Sequence, residues 1–241
     1  MRFMIMHKMN EQLEKGGPHE PQVLAAVGQL VEQAVKDGVF VAGEGLKPTA
    51  ERTHVVYRGG KRTVADGPFM ETKELVGGFG VLCVASKEEA IHWCDRFAAI
   101  LGDVELYMGP LVEPWDFGVA AKPANAPLRY LSAHRMDDRA EADLPPDPAL
   151  FPKMGALIEE MTKAGVLQAG GGLASTKHGA RVHFRDGKSV ITDGPFAESK
   201  ELIAGFAILE LPSKAAALDW AVRFGEIVKV DEVEVRLIPE G

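Results

Sequence analysis

The sequence predicts an α+β protein built from two ferredoxin-like modules in tandem, and two observations predict it. First, Asp66-Gly67-Pro68-Phe69 recurs 127 residues later as Asp193-Gly194-Pro195-Phe196, and the same register pairs Phe3 with Tyr130, His7 with His134, Arg58 with Arg185 and Trp93 with Trp220. Self-similarity at one fixed offset across most of a chain marks a duplicated structural unit. Second, each copy reads β-α-β-hairpin-β-α-β, the split βαβ pattern of ferredoxin-like sheets.

The elements follow in order. Residues 2–7 are a short apolar run suited to a buried strand, and 129–134 repeat it. In the next segment Val23, Leu24, Val27, Leu30, Val31, Ala34 and Val35 fall at the spacing of one buried helix face, with Pro21 fitting the first turn and Gly38 the end. Copy two carries that stripe more loosely as Leu150, Met154, Leu157, Ile158 and Met161. Val39 to Ala42 reads as a second strand. Val55 to Arg58 then turns through Gly59-Gly60 into Lys61 to Val64, and copy two uses Asp186-Gly187, a preferred type I′ hairpin turn. Leu75 to Val84 and Leu202 to Leu211 are strands, and glycines 78 and 80 leave room for close approach of a backbone or ligand. Ser86-Lys87-Glu88-Glu89 is a capping box opening a helix with Ala90, Trp93, Cys94 and Phe97 on its buried stripe. Copy two keeps Ser213 but has Ala216 in place of the glutamate, so its cap is weaker. Val104 to Met108 and Val233 to Ile238 close the modules, with the offset grown to 129. The copies span residues 1–118 and 128–241, joined by a small, proline-punctuated linker at 119–127.

A ferredoxin-like sheet has its first strand at the centre, antiparallel to the strand after the Asp-Gly-Pro-Phe turn. This predicts His7 beside residues 66–74 and His134 beside residues 193–201. A sheet with helices on one side leaves an apolar face, which the second copy is expected to cover as an internal pseudo-dimer.

Composition narrows the function classes. With 46% apolar and 26% charged residues the chain is ordinary globular protein, and a net charge of −8 argues against nucleic acid as a partner. Cys83 and Cys94 fit neither a disulfide framework nor a zinc site and read as core thiols in a cytoplasmic protein. No apolar run reaches eighteen residues, so no membrane partner is expected. The sequence has no phosphate loop, dinucleotide fingerprint or nucleophile elbow, and no metal or organic cofactor is expected.

The candidate site residues are those the repeat brings back. In Asp-Gly-Pro-Phe, an Asp that bonds backbone, a permissive Gly, a φ-fixing Pro and a Phe anchor explain a turn by themselves. A carboxylate held there equally suits a general base or an orienter of histidine, and both readings stand. Histidine titrates near neutrality and ends a central strand in each copy, so His7 with Asp66 and His134 with Asp193 are the expected acid/base pairs. Glu71, Lys73, Glu74, Glu198, Lys200 and Glu201 are either a solvated edge or a second layer around such a site. Arg58 and Arg185, beside the hairpin turns, are placed to meet an anionic ligand or to be solvated flanks.

Two stretches, 63–74 with Gly78-Phe79 and 190–201 with Gly205-Phe206, resemble the DGPF subgroup of the YCII-related proteins, within the dimeric α+β barrel class. Val233 to Arg236 is similar to that family's closing strand, and Glu113 to Gly118 resembles the tail of a single-copy member. The resemblance covers nearly the whole chain twice. It implies two modules packed as one intramolecular pseudo-dimer of the dimeric α+β barrel type, which pairs or does not pair again into a homodimer. Members are mostly homodimers of unsettled activity, some encoded near extracytoplasmic-function sigma factors, and a His–Asp pair is the chemistry attributed to other YCII-like proteins. Two functions follow as expectations. One is a cofactor-independent enzyme acting on a small molecule by proton transfer, of isomerase or lyase type. The other is a non-catalytic ligand-sensing or protein-interaction module associated with sigma-factor regulation.

Overall fold

The computed structural model describes residues 1–16, 20–69, 75–196 and 202–240. Copy one runs β1 (Arg2–Lys8), α1 (Glu11–Glu14), α2 (Pro21–Lys36), β2 (Phe40–Gly45), β3 (Thr53–Arg58), β4 (Lys61–Asp66), β5 (Val76–Val84), α3 (Lys87–Leu101) and β6 (Val104–Pro110). Copy two repeats it as β7 (Leu128–Arg135), α4 (Asp138–Glu141), α5 (Leu150–Lys163), β8 (Leu167–Gly172), β9 (Ala180–Arg185), β10 (Lys188–Asp193), β11 (Ile203–Glu210), α6 (Lys214–Val228) and β12 (Glu232–Ile238). The long elements match the sequence reading to within a few residues, while the one-turn helices α1 and α4 carry no sequence pattern long enough to announce them.

Local chemistry accounts for the boundaries. Pro21 occupies the first turn of α2, and Gly38, at φ +70°, lies beyond its end. Both hairpins turn through two residues of positive φ, Gly59-Gly60 and Asp186-Gly187, as a type I′ turn requires. Ser86 accepts a hydrogen bond from the Glu89 amide at 3.1 Å, and the Glu89 carboxylate accepts one from the Ala85 amide at 2.7 Å. Ser213 caps α6 through the Ala216 amide without the reciprocal bond, as its sequence demands.

The strands assemble into two antiparallel six-stranded sheets, ordered β10-β9-β12-β1-β11-β2 and β4-β3-β6-β7-β5-β8. Here the expected neighbourhood is corrected. β1 does lie centrally, but between β12 and β11 of the other copy, and β7 lies between β6 and β5. The segment after β6 supplies the reason. It returns directly into β7, pairing Pro110 with Tyr130 and Leu106 with His134, and the Leu111 amide donates to the Arg129 carbonyl at 2.8 Å. Strands consecutive in sequence pair when the connection allows it, and β7 thereby takes the central slot, leaving β1 the equivalent slot between β12 and β11.

Two compact units result, each drawing on both copies. The first takes residues 1–45 with the C-terminal part from Leu173, and the second takes the middle of the chain up to Gly172. Each has its own core between sheet and helices. In the first, Phe3, Ile5, Val182, Val233 and Val235 meet Ala34 of α2 and Ala217 and Ala221 of α6. In the second, Val55, Leu82, Leu106 and Tyr130 meet Trp93 and Cys94 of α3 and Leu157 and Met161 of α5. Full burial of each such aliphatic side chain stabilises the fold by about 1.5–3 kcal/mol. An ion pair from Arg96 to Glu160, with nitrogen–oxygen distances of 2.5 and 2.6 Å, ties α3 to α5 across the copies. The edge strands β4 and β10 are exposed along their whole length.

Candidate functional site

The two repeated histidines occupy equivalent places at the ends of the central strands. His134 stands opposite Gly78 of β5, and His7 opposite Gly205 of β11. A Cβ on Gly78 would lie 2.5 Å from His134 Cε1, and one on Gly205 would lie 2.5 Å from His7 Nε2. The glycines of the repeated Gly-Phe pair are therefore a seat for an imidazole. Each ring also packs at 5.3 Å, centroid to centroid, on a phenylalanine of the overlying helix, Phe97 for His134 and Phe224 for His7.

The aspartates sit elsewhere. Asp66 ends β4 and accepts from Lys87 Nζ at 2.5 Å and Thr53 Oγ1 at 2.8 Å, while Asp193 ends β10 and accepts from Lys214 Nζ at 2.7 Å. Both carboxylates are mostly exposed. The hydrogen bond from Lys87, with that from Thr53, holds the Asp66 carboxyl below its ordinary range. Asp66 is three strands from β7, and Asp193 three strands from β1. At about 4.8 Å per strand this puts some 14 Å between each aspartate and the histidine of its own unit. His7 and Asp66 fall in different units, as do His134 and Asp193. Within each unit the aspartate is engaged by a lysine, Lys87 for Asp66 and Lys214 for Asp193, and not by the histidine of the same unit.

The rest of the Asp-Gly-Pro-Phe motif is accounted for by packing. A Cβ on Gly67 would lie 1.8 Å from the Thr49 carbonyl oxygen, and one on Gly194 would lie 1.8 Å from that of Thr176. The Phe69 and Phe196 amides donate to the Thr49 and Thr176 hydroxyls at 3.2 Å. Gly67–Pro68 and Gly194–Pro195 are cis. Each turn is clamped on a buried threonine, and the aspartate anchors the first residue of the helix that follows the next strand. Arg58 pairs with Glu105 at 2.5 Å, and Arg185 is exposed at the matching end of β9. Glu71, Lys73, Glu74, Glu198, Lys200 and Glu201 lie outside the described residues.

A cavity of about 360 Å³ opens in the second unit between sheet and helices, within the range of small-molecule sites. Gly80, Leu106, Ser132 and His134 form its floor, Trp93, Cys94, Phe97, Met154, Leu157 and Met161 its roof, and Leu167 and Gly170–Gly172 of the edge strand β8 one wall. Among the described residues no Asp, Glu, Lys or Arg lines it. His134 is held at about 4 because burial disfavours the imidazolium, a loss that the Asp137 charge offsets only in part. It is a neutral imidazole at pH 7. Ser132, two residues earlier on the same strand face, has its Oγ 3.6 Å from Cys94 Sγ. Burial pushes the Cys94 thiol up to about 11, so it is a small polar wall rather than a nucleophile. Sequence reasoning missed Ser132 and the cavity, and placed Cys94 only as a core thiol on the buried face of its helix. The available signal was a break in the repeat, since the partners of Ser132 and Cys94 in copy one and copy two are Ile5 and Ala221.

A second cluster of charge lies in the first unit. Lys8, Arg181 and Arg236 surround the buried Glu234 at 3.5, 3.1 and 3.1 Å. Burial alone would raise this carboxyl, and the three cations outweigh it and hold it at about 2. Among the described residues no three His, Cys, Asp or Glu side chains gather as a metal site.

The model of the YCII-related domain matches residues 1–107 and again 130–238. The chain belongs to the YCII-related family. A relative from Rhizobium meliloti (strain 1021), an uncharacterised protein, is 32% identical over 75 residues, which cover 31% of this chain and 60% of that protein. The aligned stretch thus spans less than two thirds of the relative. No solved structure matches this YCII-related chain significantly. No helix among the described residues is long and apolar enough to cross a membrane.

Proposed function

We propose that this YCII-related protein binds a compact, largely apolar small molecule in the cavity of its second unit, as a ligand-sensing module. The observation that carries this reading is a cavity of about 360 Å³, without formal charge among its described lining residues, with aromatic and aliphatic walls, the Cys94 thiol, and two polar side chains, Ser132 and His134, on one strand face. Apolar enclosure with a few placed polar groups is the general form of a small-molecule site.

A second reading, cofactor-independent proton transfer of isomerase or lyase type, is favoured by the position of His134 inside that cavity. Two features weigh against it. A base held at about 4 is poorly matched to proton abstraction at neutral pH, and Asp66 and Asp193 are engaged by Lys87 and Lys214. On the ligand-sensing reading, the resemblance to proteins some of which are encoded near extracytoplasmic-function sigma factors supports regulation as the use of the bound state.

Thermal-shift measurement with toluene and indole is the test, since a ligand that prefers the native state raises its apparent stability. Both compounds should raise the melting temperature of the wild type. Leu167→Phe, which places in the wall the residue that copy one carries at position 40, should abolish the shift. Absence of any shift with either compound rejects the reading. Turnover of a bound ring compound that is lost in His134→Gln, with binding retained, would favour the enzyme instead.

A further inference from the structure

We propose that the cavity selects an uncharged ring compound bearing one hydrogen-bonding head group, held by Ser132 and His134, and that the chain takes one such molecule, in the second unit alone. This rests on the ligand-binding reading above.

The charge argument comes first. A carboxylate or ammonium entering this cavity would leave its hydration behind and find no formal charge among the described lining residues. Burial of an unpaired ion costs far more than burial of a hydrogen-bonded neutral group. His134, a neutral imidazole, presents one N–H and one acceptor nitrogen, and neither nitrogen has a hydrogen-bond partner among the described residues. Ser132 lies two residues away on the same face, about 6.6 Å along the strand. Its hydroxyl meets only the weak thiol partner Cys94 at 3.6 Å, which leaves it capacity to donate and to accept. A carboxamide, an enol or a phenolic hydroxyl offers a donor and an acceptor on one head and matches this pair. Phe97, packed at 5.3 Å on the imidazole, supplies an aromatic wall beside the same spot.

The restriction to one unit follows from the broken repeat. His7 has the same seat and the same kind of phenylalanine neighbour as His134. The residue two positions before it, however, is Ile5, which is buried among Phe3, Val235 and Leu209 in the core. Ala221 replaces Cys94 and Ala207 replaces Gly80. Phe40 replaces Leu167, and its ring lies 3.1 Å from where a Cβ of Gly43 would stand. The first unit therefore carries an aliphatic side chain where the second presents the Ser132 hydroxyl beside its histidine.

NMR titrations of the isotopically labelled full chain with benzamide, benzoate and toluene at pH 7 test the proposal. Benzamide should saturate at one molecule per chain, perturbing amides around Ser132 and His134 and not those around His7, with an affinity at least tenfold above that of benzoate. Ser132→Ala should weaken benzamide five- to tenfold and leave toluene within twofold of the wild type, with an unchanged circular dichroism spectrum. Equal affinity for benzoate, two benzamides per chain, or a Ser132→Ala variant with undiminished benzamide binding would overturn the proposal. Toluene bound with no preference for benzamide removes this inference alone, whereas failure of toluene and indole to bind removes the ligand-binding reading beneath it.

Discussion

Replacing Gly67 by alanine separates the two meanings of the Asp-Gly-Pro-Phe motif. The added Cβ would lie 1.8 Å from the Thr49 carbonyl oxygen, 2.7 Å from its carbonyl carbon and 3.3 Å from Ala50 Cα. All three are backbone atoms, and Thr49 is 2% exposed. No side chain can swing aside, so the turn must lift off the buried threonine and give up the bond from the Phe69 amide. Overpacking of this kind costs about 3 kcal/mol. For a chain of this length that corresponds to a melting temperature lower by roughly 6–12 °C. Asp66→Asn removes only an exposed ion pair with Lys87 and keeps an oxygen for the Thr53 hydroxyl, so its cost should stay below about 1 kcal/mol. Urea denaturation and scanning calorimetry of the two variants give both numbers. A Gly67→Ala protein as stable as the wild type, or an Asp66→Asn protein that loses as much as Gly67→Ala, would refute the packing account of the motif.

Two further outcomes are expected. His134 is held at about 4, below the 6.5 of an unfolded histidine, so above pH 6.5 both states are neutral, and between pH 6.5 and 4 only the unfolded chain takes up the proton. Stability should therefore fall with pH through that window by up to about 3 kcal/mol, with His54, also lowered by burial, acting in the same direction; urea midpoints at pH 7.5, 6 and 5 measure the slope, and His134→Gln should flatten it. The pairing of strands between copies is checked by cysteine cross-linking in a background lacking Cys83 and Cys94. Ile5→Cys with Ala207→Cys, directly opposite on β1 and β11, should form a disulfide on mild oxidation, and Ile5→Cys with Gly80→Cys should not; the reverse result would return each first strand to its own copy.

Why one part of this protein is legible in its sequence and another is not comes down to the range of the interactions concerned. Helix α2 was readable because the Leu30 and Ala34 spacing, Pro21 and Gly38 all act within a few residues, and the hairpins because Gly59-Gly60 and Asp186-Gly187 satisfy a backbone requirement on the spot. The partner of β1 was not readable, because duplication had written the same address twice. Gly78-Phe79 and Gly205-Phe206 offer an incoming strand the same seat for a histidine, and no local preference distinguishes them. What decides is the connection from β6 to β7, a property of chain path. The histidines are legible as positions at strand ends, but the surroundings of Asp66 and Asp193 depend on strand order, and two strands lie between each aspartate's strand and the central strand of the same sheet. The lysines that do hold those carboxylates, Lys87 and Lys214, were visible as the first residues of α3 and α6 in both copies. The repeat itself misled in one further respect. It drew attention to what the halves share, which here is the scaffolding of turns and seats, whereas the cavity owes its polar floor to Ser132 facing the space where copy one has Ile5. In a duplicated chain, shared residues report the constraints of the common fold, and a difference at a core-facing position is the place to look for what one copy does alone.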